Sequence, residues 1–394
     1  MKPSNYSKIM AIIAISLLIV VTAFAKSSQS KVPRTWTKIT PGPTSSMGRN
    51  LQPQCSGLPG TNPEFSFFVK GGRIKNLLVF FDGGGACWDT MNCIYYPTYY
   101  PAVDETTQMF TATGGIFDTD NPANPFKDWN FVFIPYCTGD LHWGSNDKQY
   151  ADYLNWYGGA TFTIHHRGFD NFLVVLKWIN DNFSRPREIF VTGSSAGSYG
   201  AILAFPYIQE AYPDSEASVL GDAGFGVLTE DFHNTSINNW GIQQNLPNWI
   251  PGFDRPFSDA EMYKMIAAYY PDRKIGLYTT AWDEVQTFFY NIMINIDDPA
   301  NWYNLLPVWC EWHHQMIDYA NLAAQAPNYR YYIGAGTDHT IMAYDKFFEE
   351  DSAGVSFVDW INAMVENLGG TRGRGRIPWE NVECTDCAAP LNCP

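Results

Sequence analysis

A short stretch of small residues, lying between a strand pattern and a helix pattern, constrains the fold more than any other feature of the chain. Residues 190–200 read FVTGSSAGSYG. The β-branched and aromatic residues before the glycines predict a buried strand, and the apolar spacing after them predicts a helix. Gly193 to Gly197 fit the pattern G-x-S-x-G, in which the middle serine lies at a sharp turn with its hydroxyl exposed. Ser195 is therefore a candidate nucleophile, although the pattern alone is equally typical of an ordinary turn.

The rest of the chain alternates strand patterns with helix patterns. Strands are predicted at residues 76–81, 129–136, 187–193, 216–221, 274–280 and 329–335, and the clearest helices at 169–183 and 355–368. Several strands are continuous apolar runs, which are typical of parallel sheets covered on both faces. The alternation predicts an α/β fold with a mostly parallel central sheet and flanking helices. Residues 95–127 and 282–325 do not fit the alternation, and we expect them to be insertions or lids over the carboxyl ends of the strands.

The first 25 residues have the pattern of a secretory signal peptide. Lys2 and Lys8 precede an apolar run, and Ala23-Phe24-Ala25 is a typical cleavage site. An uncleaved anchor is the alternative, but no helix cap or basic stop follows the apolar run. No later segment is long and apolar enough to span a bilayer. We therefore expect residues 26–394 to form a single secreted domain, periplasmic in a bacterium, with a disulfide-tied tail at about 371–394.

The cysteines and the charge narrow the classes of function. Eight cysteines in an exported chain predict four disulfides, and Cys87 and Cys93 are close enough to close a short loop. Cys384-x-x-Cys387 could instead bind zinc or carry redox chemistry, but a lone pair of this kind in a secreted protein favours a disulfide. The net charge is −15, so nucleic acid is not expected as a partner.

A second glycine-rich loop follows the first strong strand, in FFDGGGACWDTMNC at residues 80–93. Gly83, Gly84 and Gly85 would let bare backbone amides approach a ligand closely, as an oxyanion hole requires. An ordinary glycine-rich turn is the alternative. A phosphate-binding loop is disfavoured, because the Gly-Lys-Ser/Thr ending is missing.

The base and the acid of a serine hydrolase follow the nucleophile along the chain in an α/β-hydrolase-like fold. Of the histidines after Ser195, only His339 directly follows a predicted strand. Asp222 and Asp283 both qualify as the acid, and position alone does not separate them. The histidine pairs at 165–166 and 313–314 could suggest a metal, but neighbours in sequence seldom face one ion, so neither a metal nor a cofactor is expected.

Four motifs in this order, DGGGAC, GSSAGSYG, WDEVQ and GTDH, resemble the pectin acetylesterase and Notum family of secreted α/β-hydrolase carboxylesterases. The segments PYCTGDLHWG and HHRGFDNF resemble its bacterial-type branch. The resemblance implies that Asp283, in the D-E-x-Q segment of the family, is the acid. It further implies that the amides of Gly84, Gly85 and Ala196 form the oxyanion hole. The D-A-G-F segment of the family, which lines the substrate pocket, corresponds here to Asp222 to Phe225.

The chain departs from the plant members of this family on the substrate side. Those members carry tryptophan where this chain has Ala86, and cysteine where it has Ser194. Trp88 and the tyrosines that follow it are expected to contact substrate, because aromatic rings stack well on sugar faces, although core packing is the alternative. The specificity for pectin or for lipidated protein is therefore not carried over with the resemblance.

Together these features predict a secreted serine carboxylesterase that removes acetyl or other short acyl groups from a polysaccharide or glycoconjugate through an acyl-enzyme. A lipase or protein O-deacylase using the same residues is one alternative. A catalytically inactive extracellular binding protein is another, and the complete set Ser195, Asp283 and His339 opposes it. The acidic chain is expected to act as a monomer and to bind polygalacturonate poorly.

Overall fold

The computed structural model of the protein describes residues 32–104, 113–365, 377–384, 389–390 and 393. The expected signal peptide, residues 371–376 of the tail, and Cys387 lie outside the described residues. Residues 31–394 form one compact unit. Within the described part, no helix is both long and apolar enough to cross a membrane.

The secondary structure of the described residues alternates between strands and helices along much of the chain. The strands are β1 (Thr37–Ile39), β2 (Thr44–Ser46), β3 (Arg49–Leu51), β4 (Phe67–Lys70), β5 (Leu77–Phe81), β6 (Asn130–Ile134), β7 (Asn146–Ala151), β8 (Thr161–His166), β9 (Glu188–Ser194), β10 (Glu216–Asp222), β11 (Lys274–Thr280), β12 (Tyr329–Gly334), β13 (Asp351–Ser352) and β14 (Val355–Ser356). The α-helices are α1 (Gly168–Asn182), α2 (Ala196–Ala211), α3 (Glu230–Trp240), α4 (Asp259–Tyr269), α5 (Glu284–Ile294), α6 (Leu306–Ala323), α7 (Lys346–Glu349) and α8 (Phe357–Met364).

An eight-stranded sheet in the order β1-β4-β6-β5-β9-β10-β11-β12 lies at the centre of the fold. The strands from β6 to β12 in this order are parallel to one another. At the other edge, β4 is antiparallel to β6, and β1 is antiparallel to β4. The six parallel strands are the six predicted from apolar runs, so the mostly parallel α/β sheet is confirmed.

The sheet is covered on both faces, as the continuous apolar strands predict. Along β5, Leu77, Val79 and Phe81 belong to one hydrophobic core, whereas Leu78 and Phe80 belong to a second core. This alternation follows from the two-residue period of a strand. Helices α1, α2, α4 and α6 contribute to the first core, and α7 and α8 contribute to the second. A buried sheet of this kind fixes the loops at the carboxyl ends of its strands.

The segment at 282–325, expected to be an insertion or a lid, contains helices α5 and α6, which pack against each other. Disulfides join Cys55 to Cys137, Cys87 to Cys93, and Cys310 of α6 to Cys393 of the tail. Cys384 is also disulfide-bonded. The short loop closed by Cys87 and Cys93 is therefore confirmed.

Candidate active site

Ser195 lies at the sharp turn between β9 and α2. Its backbone has φ 57° and ψ −123°, a left-handed conformation that is costly for a residue with a side chain. The flanking glycines are required by close packing: a Cβ atom at Gly197 would lie 2.0 Å from the carbonyl oxygen of Phe81, and one at Gly193 would lie 2.2 Å from the carbonyl oxygen of Gly197. The G-x-S-x-G pattern is thus a nucleophile elbow in geometry.

His339 follows β12 and makes a direct pair with Asp283, which follows β11. Nδ1 of His339 lies 3.0 Å from Oδ1 and 2.9 Å from Oδ2 of Asp283. The Asp283 carboxylate is fully buried and also accepts hydrogen bonds from the amide of Gln286 at 2.8 Å and from its Nε2 at 2.9 Å. Because Asp283 caps the N-terminus of α5, the helix dipole further favours its negative charge. Of the two aspartates that position alone leaves open, Asp283 is the one whose carboxylate contacts the His339 ring.

The environment of His339 prepares its other ring nitrogen to act as a base. Burial acts to lower the pKa of His339, but the charge and hydrogen bonds of Asp283, together with the charge of Asp222, more than offset this, so the pKa is raised above 6.5. Nε2 of His339 is buried and has no hydrogen-bond partner within the described part of the chain. Ser195 and His339 line the same pocket and share no hydrogen bond. Such contacts commonly tighten only when substrate is bound.

Asp222 has a different position from the one expected of a substrate-binding residue. Its carboxylate is fully buried and accepts a hydrogen bond from the Ser194 hydroxyl at 2.6 Å. It also accepts hydrogen bonds from the backbone amides of Ile341 and Met342. Burial raises its pKa to about 6, against these hydrogen bonds. Asp222 therefore fixes the backbone just after His339, and the neighbouring Ala223 lines the pocket instead.

Phe225 likewise lies behind the pocket wall. Its side chain is fully buried, and its amide donates to Oε1 of Gln286 at 3.0 Å. Trp88, in contrast, is among the residues that line the pocket. Of the three residues expected to bind substrate, the structure thus brings only Trp88 to the pocket surface.

The residues expected to donate the oxyanion hydrogen bonds surround the elbow. Gly85 and Ala196 line the pocket, and Gly84 precedes Gly85 in the same loop. The amides of these three residues donate to no backbone acceptor among residues 32–104 and 113–365. Gly85 has φ 77°, and a Cβ atom there would lie 2.0 Å from the carbonyl oxygen of Thr98. Within these ranges the three amides therefore have no backbone acceptor, as donors to an oxyanion would require.

The pocket is a cleft of about 510 Å³, part of which is open to solvent, and its wall is mostly apolar. Its lining consists of Gly85, Ala86, Trp88, Leu141, Ser195, Ala196, Tyr199, Ala223, Val227, Leu228, Phe232, Val285, Gln286, Phe289, Met293, Trp312 and His339. Val285, Phe289 and Met293 are spaced four residues apart on α5, so they form one stripe along that helix. An apolar wall beside a nucleophile suits the acyl part of an ester.

Several pocket residues were missed from the sequence. Leu141 comes from the loop after β6, Phe232 from α3 and Trp312 from α6, so only tertiary packing brings them together. Gln286 could have been predicted from the sequence, because it belongs to the motif WDEVQ. Its side chain bridges the acid and the D-A-G-F segment, donating to Asp283 and accepting from Phe225.

The adjacent histidine pairs have structural partners. Nδ1 of His165 contacts Asp147 at 2.8 Å, and His166 contacts the hydroxyl of Tyr150 at 2.9 Å. Nδ1 of His313 contacts the carbonyl oxygen of Ala281 at 2.6 Å. Ligand atoms of Cys87, Cys93 and His166 lie within 4.8 Å of one another, but the two sulfur atoms form a disulfide and are not free to bind a metal.

Comparison with known proteins identifies the family. The family model described as Pectinacetylesterase matches residues 50–248, which is half of the chain. Human palmitoleoyl-protein carboxylesterase NOTUM is 24% identical over 251 residues, covering 57% of this chain and 49% of the relative. Pectin acetylesterase 11 of Arabidopsis thaliana is 23% identical over 177 residues, covering 44% of this chain and 43% of the relative. The chain thus matches about half the length of these relatives.

The fold is similar to that of a solved member of this group. The crystal structure of the Wnt deacylase Notum from Drosophila superposes with a TM-score of 0.56 and 16% sequence identity. The superposition covers 83% of this chain and 94% of the other. Together with the family match, it establishes an α/β-hydrolase-like fold with a mostly parallel central sheet, and the chain belongs to the pectinacetylesterase family.

Proposed function

We propose that the protein is a serine carboxylesterase that acts through an acyl-enzyme. The observation that carries this proposal is the contact of His339 Nδ1 with the buried carboxylate of Asp283, 2.9 Å away, while Nε2 stays unpaired in the pocket that Ser195 lines. A neutral imidazole oriented in this way is a general base for a serine hydroxyl. The curated relatives in the family are named as carboxylesterases and acetylesterases.

In the first half of the reaction, His339 takes the proton of the Ser195 hydroxyl through Nε2 as Oγ attacks the ester carbonyl. Asp283 holds the ring in the required tautomer and stabilises the imidazolium. The amides of Gly84, Gly85 and Ala196 donate hydrogen bonds to the developing oxyanion. The tetrahedral intermediate then breaks down: His339 gives its proton to the leaving alcohol, and the acyl group remains on Ser195.

In the second half, water replaces the alcohol. His339 removes a proton from that water as it attacks the acyl carbonyl, the same amides hold the second oxyanion, and Ser195 leaves with the proton returned from Nε2. The products are a carboxylic acid and free enzyme. Every proton in this sequence passes through His339, so neither half-reaction proceeds efficiently without it.

The substrate that we favour is an acetyl or other short acyl ester of a polysaccharide or glycoconjugate. A longer acyl group is the second candidate, as in a lipase or a protein O-deacylase, and it is favoured by the aliphatic and aromatic lining of the pocket. The disulfides support action outside the cytosol, because such bonds persist in oxidising compartments. That the protein acts as a monomer stays a prediction.

A fluorophosphonate probe tests the nucleophile directly. The unsubstituted protein should be labelled at Ser195, and labelling should be lost in Ser195→Ala and retained in Ser194→Ala. Hydrolysis of p-nitrophenyl acetate should follow the same pattern. Labelling at another residue, or hydrolysis that survives Ser195→Ala, would overturn the proposal.

A further inference from the structure

A group of exposed aromatic rings is formed by three residues at the tip of the β7–β8 hairpin and by Tyr96 of the segment 91–100. Tyr96, Tyr153, Trp156 and Tyr157 are 44%, 54%, 51% and 51% exposed, respectively. We call these four residues the aromatic platform. Their rings are joined through the buried Tyr95, whose ring centroid lies 5.5 Å from Tyr153 and 4.7 Å from Trp156. Trp156 also meets Tyr96 at 5.6 Å. Contiguous exposed aromatic surface of this kind marks a binding site more often than a solvent-facing loop.

The platform is held in place by a buried carboxylate. Asp152 is only 5% exposed and accepts hydrogen bonds from the hydroxyl of Tyr95 at 2.7 Å and from the amides of Trp156, Tyr157 and Gly159 at 3.0, 2.6 and 3.0 Å. Burial acts to raise the pKa of Asp152, but these hydrogen bonds outweigh it and the pKa is lowered. The hydrogen bonds to Asp152 thus hold the backbone that carries Trp156 and Tyr157, so this backbone loses little conformational entropy when a ligand binds.

The platform is continuous with the loop that forms the candidate oxyanion hole. Tyr96 belongs to the segment 91–100, and within this segment the carbonyl oxygen of Thr98 accepts the amide of Ala86 at 3.2 Å. The amide of Tyr100 donates to the carbonyl oxygen of Gly84 at 2.9 Å. The platform is therefore connected to the segment that pairs with the glycine loop, whose Gly85 and Ala86 line the pocket.

The chemistry of the platform favours an uncharged, ring-shaped ligand. Each of the four aromatic rings of the platform carries a hydroxyl or an indole N–H at its edge, and such rings stack well on the apolar faces of sugars. Residues 151–160 and 86–100 contain no lysine or arginine. Burial, followed by the negative charges of Asp89 and Asp297, raises the pKa of Tyr153 to about 12. The charge near the platform is therefore negative. A polyanion or an anionic membrane would be repelled from this surface.

We propose that the aromatic platform is a binding site for a neutral polysaccharide chain, which it holds so that an acyl group on the chain reaches the pocket of Ser195. The platform itself requires no catalysis. Only the delivery of the acyl group rests on the proposed function. Other occupants, a lipid surface or a second copy of this chain, are outcomes of the test.

The binding experiment uses Ser195→Ala protein, so that the ligand is not consumed. Calorimetric titration with the neutral oligosaccharides cellohexaose and xylohexaose should show binding, and polygalacturonate should bind more weakly. Trp156→Ala and Tyr153→Ala should each weaken binding by about two- to tenfold, which corresponds to the loss of one ring contact. Tyr269→Ala, at the end of α4 and 41% exposed, is the matched control and should leave binding unchanged. Trp156→Phe should retain most of the affinity, because it keeps a ring.

The outcomes separate this proposal from the proposed function. Equal melting temperatures for the variants show that the hairpin is folded. The platform proposal is overturned by absence of binding to both neutral oligosaccharides, by equal binding in Trp156→Ala, by phospholipid vesicles that bind in place of the sugars, or by dimerisation that Trp156→Ala abolishes. In otherwise unsubstituted enzyme, Trp156→Ala should raise KM for acetylated xylan and leave p-nitrophenyl acetate hydrolysis unchanged. Loss of hydrolysis of both esters in the unsubstituted enzyme would instead contradict the proposed function, while the binding result would stand.

Discussion

The hydroxyl of Ser194 donates to the buried carboxylate of Asp222 at 2.6 Å, one residue before the candidate nucleophile. The same carboxylate accepts the amides of Ile341 and Met342, two and three residues after His339. The turn that carries Ser195 and the loop that carries His339 are therefore both hydrogen-bonded to one acidic group. This arrangement separates two aspartates that look equivalent in the sequence, because Asp283 contacts the ring of His339 whereas Asp222 contacts the backbone amides of Ile341 and Met342.

Ser195→Ala should abolish ester hydrolysis without unfolding the protein. A triad nucleophile contributes roughly 10⁴-fold or more to the rate, whereas its hydroxyl contributes little packing. Ser194→Ala is the matched control: it removes one donor to Asp222, so it should lower the melting temperature slightly and retain most of the activity. The measurements are kcat/KM on p-nitrophenyl acetate and the thermal midpoint. If Ser194→Ala were inactive and Ser195→Ala active, the nucleophile would be Ser194 and the assignment to Ser195 would be wrong.

Asp283→Asn should impair turnover far more than Asp222→Asn does. The asparagine at 283 can present its N–H₂ to Nδ1 and stabilise the wrong tautomer, and a loss of about 10⁴-fold in kcat is typical. Asp222→Asn keeps an acceptor but turns an amide toward one of three donors, so it should cost about 1–3 kcal/mol of stability and a smaller part of the rate. The opposite ranking in kcat would move the orienting acid to the end of β10.

The pH dependence of kcat/KM should have its acid limb above pH 6.5. His339 acts as a base only when it is neutral, and Asp283 raises its pKa above 6.5, so the active fraction falls as pH drops through that raised pKa. Asp283→Asn removes the charge and should move the limb to lower pH, at a much lower rate. Asp338→Asn is the control, because Asp338 pairs with Lys346 and is not among the groups that shift the histidine. A limb well below 6.5 in the unsubstituted enzyme would contradict this assignment.

Much of the fold and the core of the site could be predicted from the sequence, and the limits have physical causes. The six parallel strands were found because burial on both faces makes them continuous apolar runs. β1 and β4 at the antiparallel edge were not found, since β1 has only three residues and little apolar pattern. Ser195 and His339 could be predicted to lie close together because each directly follows a parallel strand, and both line one pocket.

The remaining parts of the site depend on side-chain direction and on tertiary contacts. Both Asp222 and Asp283 follow strands at the same edge of the sheet, and no local pattern says which carboxylate turns toward His339. Phe225 belongs to a motif expected to line the pocket, yet its ring points into the core. Trp312 and Phe232 reach the pocket only because their helices pack over it.

Gly197→Ala should destabilise the fold even though alanine is the better helix former. The gain in helix propensity is about 1 kcal/mol, but the new Cβ would lie 2.0 Å from the carbonyl oxygen of Phe81, and backbone cannot move aside cheaply. Overpacking of this kind costs about 1–3 kcal/mol or more, so a clear drop in the denaturant midpoint is expected. Gly42→Ala has nothing within 4 Å of the new Cβ and serves as the control. Equal stability of the two variants would mean that β5 and α2 are not packed this closely.

We expect residues of α5 to determine how long an acyl group the pocket accepts. Val285, Phe289 and Met293 line the pocket at four-residue spacing, so the stripe runs for about 12 Å along the helix, away from Asp283 at its N-terminus. Met293 is therefore the lining residue of this stripe farthest along α5 from the acid. An acetyl group would not extend to it, whereas a longer chain lying along the stripe would.

The test compares kcat/KM for acetyl, butyryl, octanoyl and palmitoyl esters with one leaving group. We expect acetyl and butyryl esters to react faster than palmitoyl esters in the unsubstituted enzyme. Met293→Trp fills the far end of the stripe and should lower the octanoyl rate while leaving the acetyl rate unchanged. Ile294→Trp, at the next position and exposed to solvent, should leave the whole series unchanged. A preference for palmitoyl esters would exclude the short-acyl assignment and favour a lipid or protein deacylase, since binding energy from a long chain raises the rate only if the pocket accepts that chain in the transition state.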